Sequence, residues 1–136
     1  MPESVTHARL VRAILEFIDR DFRALTDIAI RDDSNAPVRD ERPPSVFGFV
    51  PDVYATDVPT TVTLIGEAKT KRDLEAIHSQ EQITAFLEYL KVTAGGVFIL
   101  SVPLSAGATA RRIVTDTTQR LGGAPTRLVI LDGLGR

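Results

Sequence analysis

Apolar residues in the first 25 positions recur at helical spacing: Leu10, Val11, Ile14, Leu15, Phe17, Ile18 and Phe22 share one side, with Arg9, Arg12, Glu16, Arg20 and Arg23 mostly opposite. The spacing predicts a helix over Pro2–Leu25, with Pro2 in the first turn and Ser4 available as a cap. A short strand is expected at Asp27–Arg31. Residues 32–45, rich in proline and charge, then read as a loop. Val46–Thr56 is dense in β-formers and is interrupted by Pro51, which predicts a strand with a bend or bulge just before Asp52. Asp57–Thr60 reads as a turn and Thr61–Lys69 as a second strand, so that the two form a hairpin. A helix follows over Leu74–Val92, with Ile83, Phe86, Leu87 and Leu90 as its stripe and Gly95-Gly96 after its end. Val97–Val102 is a continuous apolar run, expected as a strand covered on both faces. A helix over Ser105–Leu121 and a strand over Leu128–Leu131 complete the order αβββαβαβ. That order predicts an α/β fold, with a mixed central sheet flanked by helices on both faces.

Composition narrows the picture. A chain of 136 residues with 43% hydrophobic and 25% charged residues fits a single globular domain over 1–136. No apolar run approaches the ~18 residues of a membrane span, and no membrane partner is expected. The opening Met-Pro-Glu-Ser-Val-Thr-His has neither the basic region nor the apolar core of a signal peptide, so a cytoplasmic location is expected. The absence of cysteine excludes disulfides, thiolate zinc and cysteine nucleophiles, and two histidines cannot build a three-histidine metal site. The net charge of −2 argues against coating nucleic acid by bulk electrostatics. Of 16 basic residues only three are lysines, at 69, 71 and 91, which makes the position of Lys69 informative.

One constellation carries chemistry: Pro51-Asp52 and, fifteen residues on, Glu67-Ala68-Lys69. On a strand Glu67 and Lys69 point to one face, Gly66 leaves room beside Glu67, and Asp52 on the paired strand comes opposite. Two carboxylates side by side repel, and a divalent cation relieves the repulsion. Oxygen ligands with open water positions suit Mg2+ or Mn2+, and the Ala68 backbone carbonyl is a further candidate ligand. The plain alternatives are an exposed ion pair at a strand end for Glu67 and Lys69, and a turn residue for Asp52.

These residues resemble the PD-(D/E)XK nuclease superfamily, whose αβββαβ core matches the first six expected elements over about residues 3–102. The resemblance implies a restriction-endonuclease-like domain, here with an extra C-terminal helix and strand, closest in size to small Holliday-junction-resolvase-like or RecB-like nucleases. It implies a metal-dependent endonuclease hydrolysing DNA phosphodiester bonds with Mg2+ or Mn2+. Asp52 and Glu67 would be metal ligands and Lys69 an aid to the attacking water. Gln82, with Phe86 four residues later, matches the glutamine and aromatic that many members carry, and Gln80 is the competitor. Members commonly add a glutamate from the first helix. Here the candidates for that position are His7 and Glu3 rather than Glu16. Cutting both strands of a duplex makes a homodimer the expected assembly. The competing reading is a catalytically weak or inactive module of the same fold that binds nucleic acid or a protein partner. His78, Arg31, Arg39, Arg42, Arg111 and Arg112 are conceivable phosphate contacts but read more simply as solvated side chains.

Overall fold

A computed structural model describes residues 5–25, 28–32, 42–125 and 127–133. Helix α1 spans Val5–Asp21 and strand β1 Ala29–Asp32; strand β2 spans Val53–Thr56 and β3 Thr63–Ala68. Helix α2 covers Lys71–Leu74, α3 Ile77–Lys91, strand β4 Gly96–Ser101, helix α4 Gly107–Arg120 and strand β5 Arg127–Leu131. The five strands form one mixed sheet in the order β1-β2-β3-β4-β5. β1, β2 and β3 are antiparallel neighbours, while β3, β4 and β5 run parallel. No helix among the described residues is long and apolar enough to cross a membrane.

The sheet is covered on both faces, as the strand and helix order predicts. On one face α1 lays Leu10, Val11, Ile14, Phe17 and Ile18 against Val53, Ala55, Leu64, Val97 and Ile99. On the other, Ile83, Phe86, Leu87 and Leu90 of α3 and Ala110, Ile113 and Val114 of α4 pack on Ile65, Phe98 and Leu100. Every residue of β3 and of β4 is buried, which is why Leu64, Ile65 and residues 97–100 are apolar on both faces, while the polar residues Thr63, Glu67 and Ser101 sit at the strand ends.

Three expected boundaries are corrected. The strand expected over Val46–Thr56 exists only from Val53. Phe47 (φ 49°) and Gly48 (φ 88°) form a tight turn, and Val46 and Phe49 exchange both backbone hydrogen bonds (2.7 and 3.0 Å). The chain therefore pairs with itself there, and Pro51, without an N–H, cannot extend the ladder. The helix expected over Leu74–Val92 begins only at Ile77: Leu74 instead ends a separate short helix, α2, and an extended break at Ala76 (φ −75°, ψ 140°) follows. In one continuous helix Leu74 and Ile83, nine residues apart, would lie on roughly opposite faces. The break brings both into one core, where each is fully buried. The helix expected from Ser105 begins as a single 3-10 turn over Leu104–Ala106 and becomes α-helical at Gly107.

The space left by Gly66 also serves a purpose other than the expected one. A methyl group there would stand 2.6 Å from Ile14 Cγ2 and 3.3 Å from Val53 Cβ, so the missing side chain lets α1 approach β3 rather than making room beside Glu67. Gly66→Ala is expected to destabilise the fold by about 1–3 kcal/mol through overpacking. Urea unfolding of the purified variant checks this.

Candidate functional site

The turn after β2 sets the geometry. Asp57 is buried, and its carboxylate accepts the Thr61 N–H (2.8 Å), the Val62 N–H (2.9 Å) and the Thr61 hydroxyl. The Thr61 hydroxyl and the two amides hold the Asp57 carboxyl below its ordinary range, against the opposing effect of burial. The closed turn sets the β2–β3 register at Val53 opposite Gly66, which brings Asp52 opposite Glu67 one step further on.

At that position the two acids are locked reciprocally. The Asp52 N–H donates to Glu67 Oε1 (2.8 Å), and the Ala68 N–H donates to Asp52 Oδ2 (2.9 Å). His7, on the first turns of α1, brings Nε2 to 3.3 Å from the same Asp52 oxygen. Lys69 Nζ lies 3.3 Å from Glu67 Oε2 and donates to Gln82 Oε1 on α3. The Lys69 backbone is itself held by its N–H to the Ser101 carbonyl of β4 (3.0 Å). Five side chains from α1, β3, α3 and the entry to β2 thus meet at one corner of the sheet. Glu67 is the deepest of them, only 2% exposed. Burial and then the neighbouring Asp52 charge push its carboxyl up to about 8, against the opposing pull of Lys69 and the Asp52 N–H.

Of the residues singled out from the sequence, Asp52, Glu67, Lys69, Gln82 and His7 come together, and Ala68 contributes its amide. Gln80 does not: its side-chain amide points to the Leu74 carbonyl at 3.5 Å. Glu16 is exposed in the fourth turn of α1. Glu3 and Arg39 lie outside the described residues. Phe86 is fully buried beneath Gln82 in the core. His78 is exposed, and its ring meets Phe49 edge to face at 5.6 Å, a contact between segments 29 residues apart that no local pattern announces. Arg111 pairs with Asp132 (2.9 Å), and Arg112 is exposed on α4.

Among the described residues no group of three or more His, Asp or Glu side chains stands ready to hold a metal ion. The donor set present is two carboxylates and an imidazole near one of them. That suffices for Mg2+ or Mn2+, which keep several waters and need only one or two carboxylates. The upward-shifted Glu67 carboxyl is the second sign of fit, since a buried acid facing another acid is stabilised by a cation.

The same shift has a consequence for stability. Without metal, Glu67 keeps its proton in the folded state up to about pH 8 and in the unfolded state only to about 4.5. Between those values the folded state binds more protons, so stability falls as pH rises, by at most about 1.4 kcal/mol per pH unit. Glu67→Gln is expected to lack that slope. Urea unfolding of both proteins in EDTA from pH 5 to 9 checks it through their difference.

Comparison of the chain with protein-family models, with curated proteins and with solved structures finds no match.

Proposed function

We propose that this protein is a divalent-metal-dependent nuclease of the PD-(D/E)XK, restriction-endonuclease-like type, hydrolysing DNA phosphodiester bonds. The observation that carries the reading is the convergence of Asp52, Glu67, Lys69 and Gln82 through contacts of about hydrogen-bond length, with one acid almost wholly buried. Such burial of a carboxylate beside another is costly for a structural ion pair and useful for a metal site.

In this reading Asp52 and Glu67 would hold Mg2+ or Mn2+, with the Ala68 carbonyl as a further candidate ligand. The bound cation would supply a more acidic water and charge stabilisation at the phosphate. The chain's own groups do the rest. The Asp52 N–H and Ala68 N–H fix the two carboxylates in place before any ligand arrives. Gln82 aims the Lys69 ammonium, which can hold the attacking water or the phosphate oxygen. His7 stands beside Asp52 Oδ2, the oxygen that also accepts the Ala68 N–H, at the first-helix position where the superfamily this chain resembles commonly places a glutamate. A homodimer would bring two such corners to the two strands of a duplex.

A second reading has an observation of its own. The Lys69 ammonium already supplies a cation to Glu67, and among the described residues no three His, Asp or Glu side chains are arranged together around a metal position. This favours a weak or inactive module of the same fold that retains binding. One experiment separates the two: purified protein is incubated with branched, single-stranded and duplex DNA in Mg2+, Mn2+ or EDTA. Metal-dependent cleavage supports the nuclease. Binding without cleavage at any metal concentration rejects it in favour of the module.

A further inference from the structure

We infer that the outer face of α3 and α4 is a contact between two copies of this chain, related by a two-fold axis that runs along the helices. This surface does not depend on the nuclease reading.

The first observation is the order of charge across the face. The only charges of α3 there are Glu81 and Glu88, while α4 carries Arg112 and Arg120 with Asp116 between them. All five are exposed, and none has an ion-pair partner among the described residues. Opposite charges thus stand on neighbouring helices without meeting. The α3 side is negative, and two arginines against one acid leave the α4 side positive. A surface divided in this way is complementary to itself.

The second observation is that the levels match. Both helices are crossovers between parallel strands on one face of the sheet, so they run side by side in the same direction. Their C-terminal ends are about level, since Lys91 Nζ at the end of α3 donates to the Leu121 carbonyl just past α4 (2.8 Å). Counted back from those ends at about 1.5 Å per residue, Glu81 lies about 15 Å away and Arg112 about 14 Å. Glu88 and Arg120 lie about 4.5 Å and 1.5 Å away, a difference well within the reach of their side chains. An axis parallel to the helices keeps every level and exchanges α3 for α4. It lays Glu81 against the partner's Arg112 and Glu88 against the partner's Arg120, and each contact occurs twice. Asp116 falls between the two pairs, level with the partner's Ala85, where it meets no acid directly. An axis across the helices would instead lay α3 on α3 and set acid against acid, so the charges choose between the two arrangements.

The third observation is the apolar seam. Ala85 of α3 and Ile113 of α4 line it, and Ile77, 78% exposed, and Phe47, 59% exposed, border it. Covering these side chains supplies the apolar burial that exposed ion pairs by themselves lack. The same axis bears on the candidate site. Gln82, which meets Lys69, stands in the second turn of α3. With the helices parallel across the axis, the two candidate sites open at the same end of the dimer, where one duplex can reach both.

The test is sedimentation equilibrium in EDTA from about 1 to about 100 µM, the range in which a contact between pairs of short helices dissociates. Wild type is compared with the double variants Glu81→Arg/Glu88→Arg and Arg112→Glu/Arg120→Glu, each alone and the two mixed in equal amounts. Wild type is expected to form a dimer that weakens as salt rises from about 0.05 to about 1 M. Each double variant alone is expected to associate at least about a hundredfold more weakly, because every attractive pair becomes a repulsive one. Mixed, the two are expected to form a heterodimer, since a basic face then meets an acidic one. Circular dichroism confirms that each variant is folded, and the salt dependence of wild type needs no variant. A wild type that stays monomeric over this range overturns the inference. So does a dimer that salt does not weaken, a dimer that either double variant leaves intact, or a pair of variants that fails to associate on mixing. None of these outcomes touches the nuclease reading, which the cleavage assay decides.

Discussion

Glu67→Gln is expected to reduce metal-dependent DNA cleavage by at least about a thousandfold, the scale of losing a principal ligand and its charge at a metal that stabilises the transition state. The substitution is nearly isosteric, so shape and backbone pairing are kept. The amide oxygen can still accept the Asp52 N–H, which now reaches Glu67 Oε1 at 2.8 Å. What disappears is the negative charge that Asp52 and Glu67 together offer a cation. Binding of Mn2+, followed by calorimetry, is expected to weaken in parallel. The amide also brings its NH2 toward the Lys69 ammonium, which stands 3.3 Å from Glu67 Oε2 in the wild type. Some stability is therefore lost to facing donors. Because the pH slope of stability reports the titration alone, it vanishes whatever that offset is. Cleavage that survives Glu67→Gln at the wild-type rate would remove Glu67 from the chemistry and leave only a buried acid.

Lys69→Ala is expected to lower cleavage by about a hundredfold to ten-thousandfold, the range for removing a positioned proton-transfer or charge-stabilising group. It separates two roles that the geometry combines. Lys69 Nζ holds Glu67 on one side and is held by Gln82 on the other. As a cation beside a metal ligand it competes with the metal, so its loss is expected to strengthen Mn2+ binding while cleavage falls. A purely structural lysine would not give that opposite movement. Lys69→Arg is expected to remain poor, because a planar guanidinium does not replace a compact ammonium between Glu67 and Gln82. If metal binding and cleavage weakened together in Lys69→Ala, the lysine would be holding the site in shape rather than acting in the reaction.

The legible and the illegible parts of this molecule differ in the range of the interactions that decide them. Burial of β4 is visible in its continuous run over residues 97–100, because a strand covered on both faces is apolar at successive positions, and in β3 Leu64 and Ile65 show the same pattern over a shorter stretch. The amphipathic stripe of α1 shows in its spacing for the same local reason. Asp52 and Glu67 are also readable as partners. A short turn between two strands leaves few registers, and the fifteen-residue spacing brings the acids opposite once Asp57 closes that turn.

Other features are set elsewhere in the chain. The Val46–Val50 stretch has strand composition yet turns back on itself, since the self-pairing of Val46 with Phe49 outweighs both β propensity and the cost of the left-handed backbone at Phe47. The break between α2 and α3 has no proline or glycine to mark it. It follows from the need to bury Leu74 and Ile83 in the same core. His7 and Gln82 meet the acids only because α1 and α3 dock on opposite faces of the sheet and each ends its approach at the same corner. The sequence by itself determined the order of the main helices and strands, the buried strand β4 and the pair of facing acids, because periodicity and hairpin spacing act over a few residues. The tertiary structure alone decided which glutamine reaches Lys69, that a histidine reaches Asp52, and how deeply Glu67 is buried. Those outcomes depend on packing between segments tens of residues apart, whose relative placement no local pattern encodes.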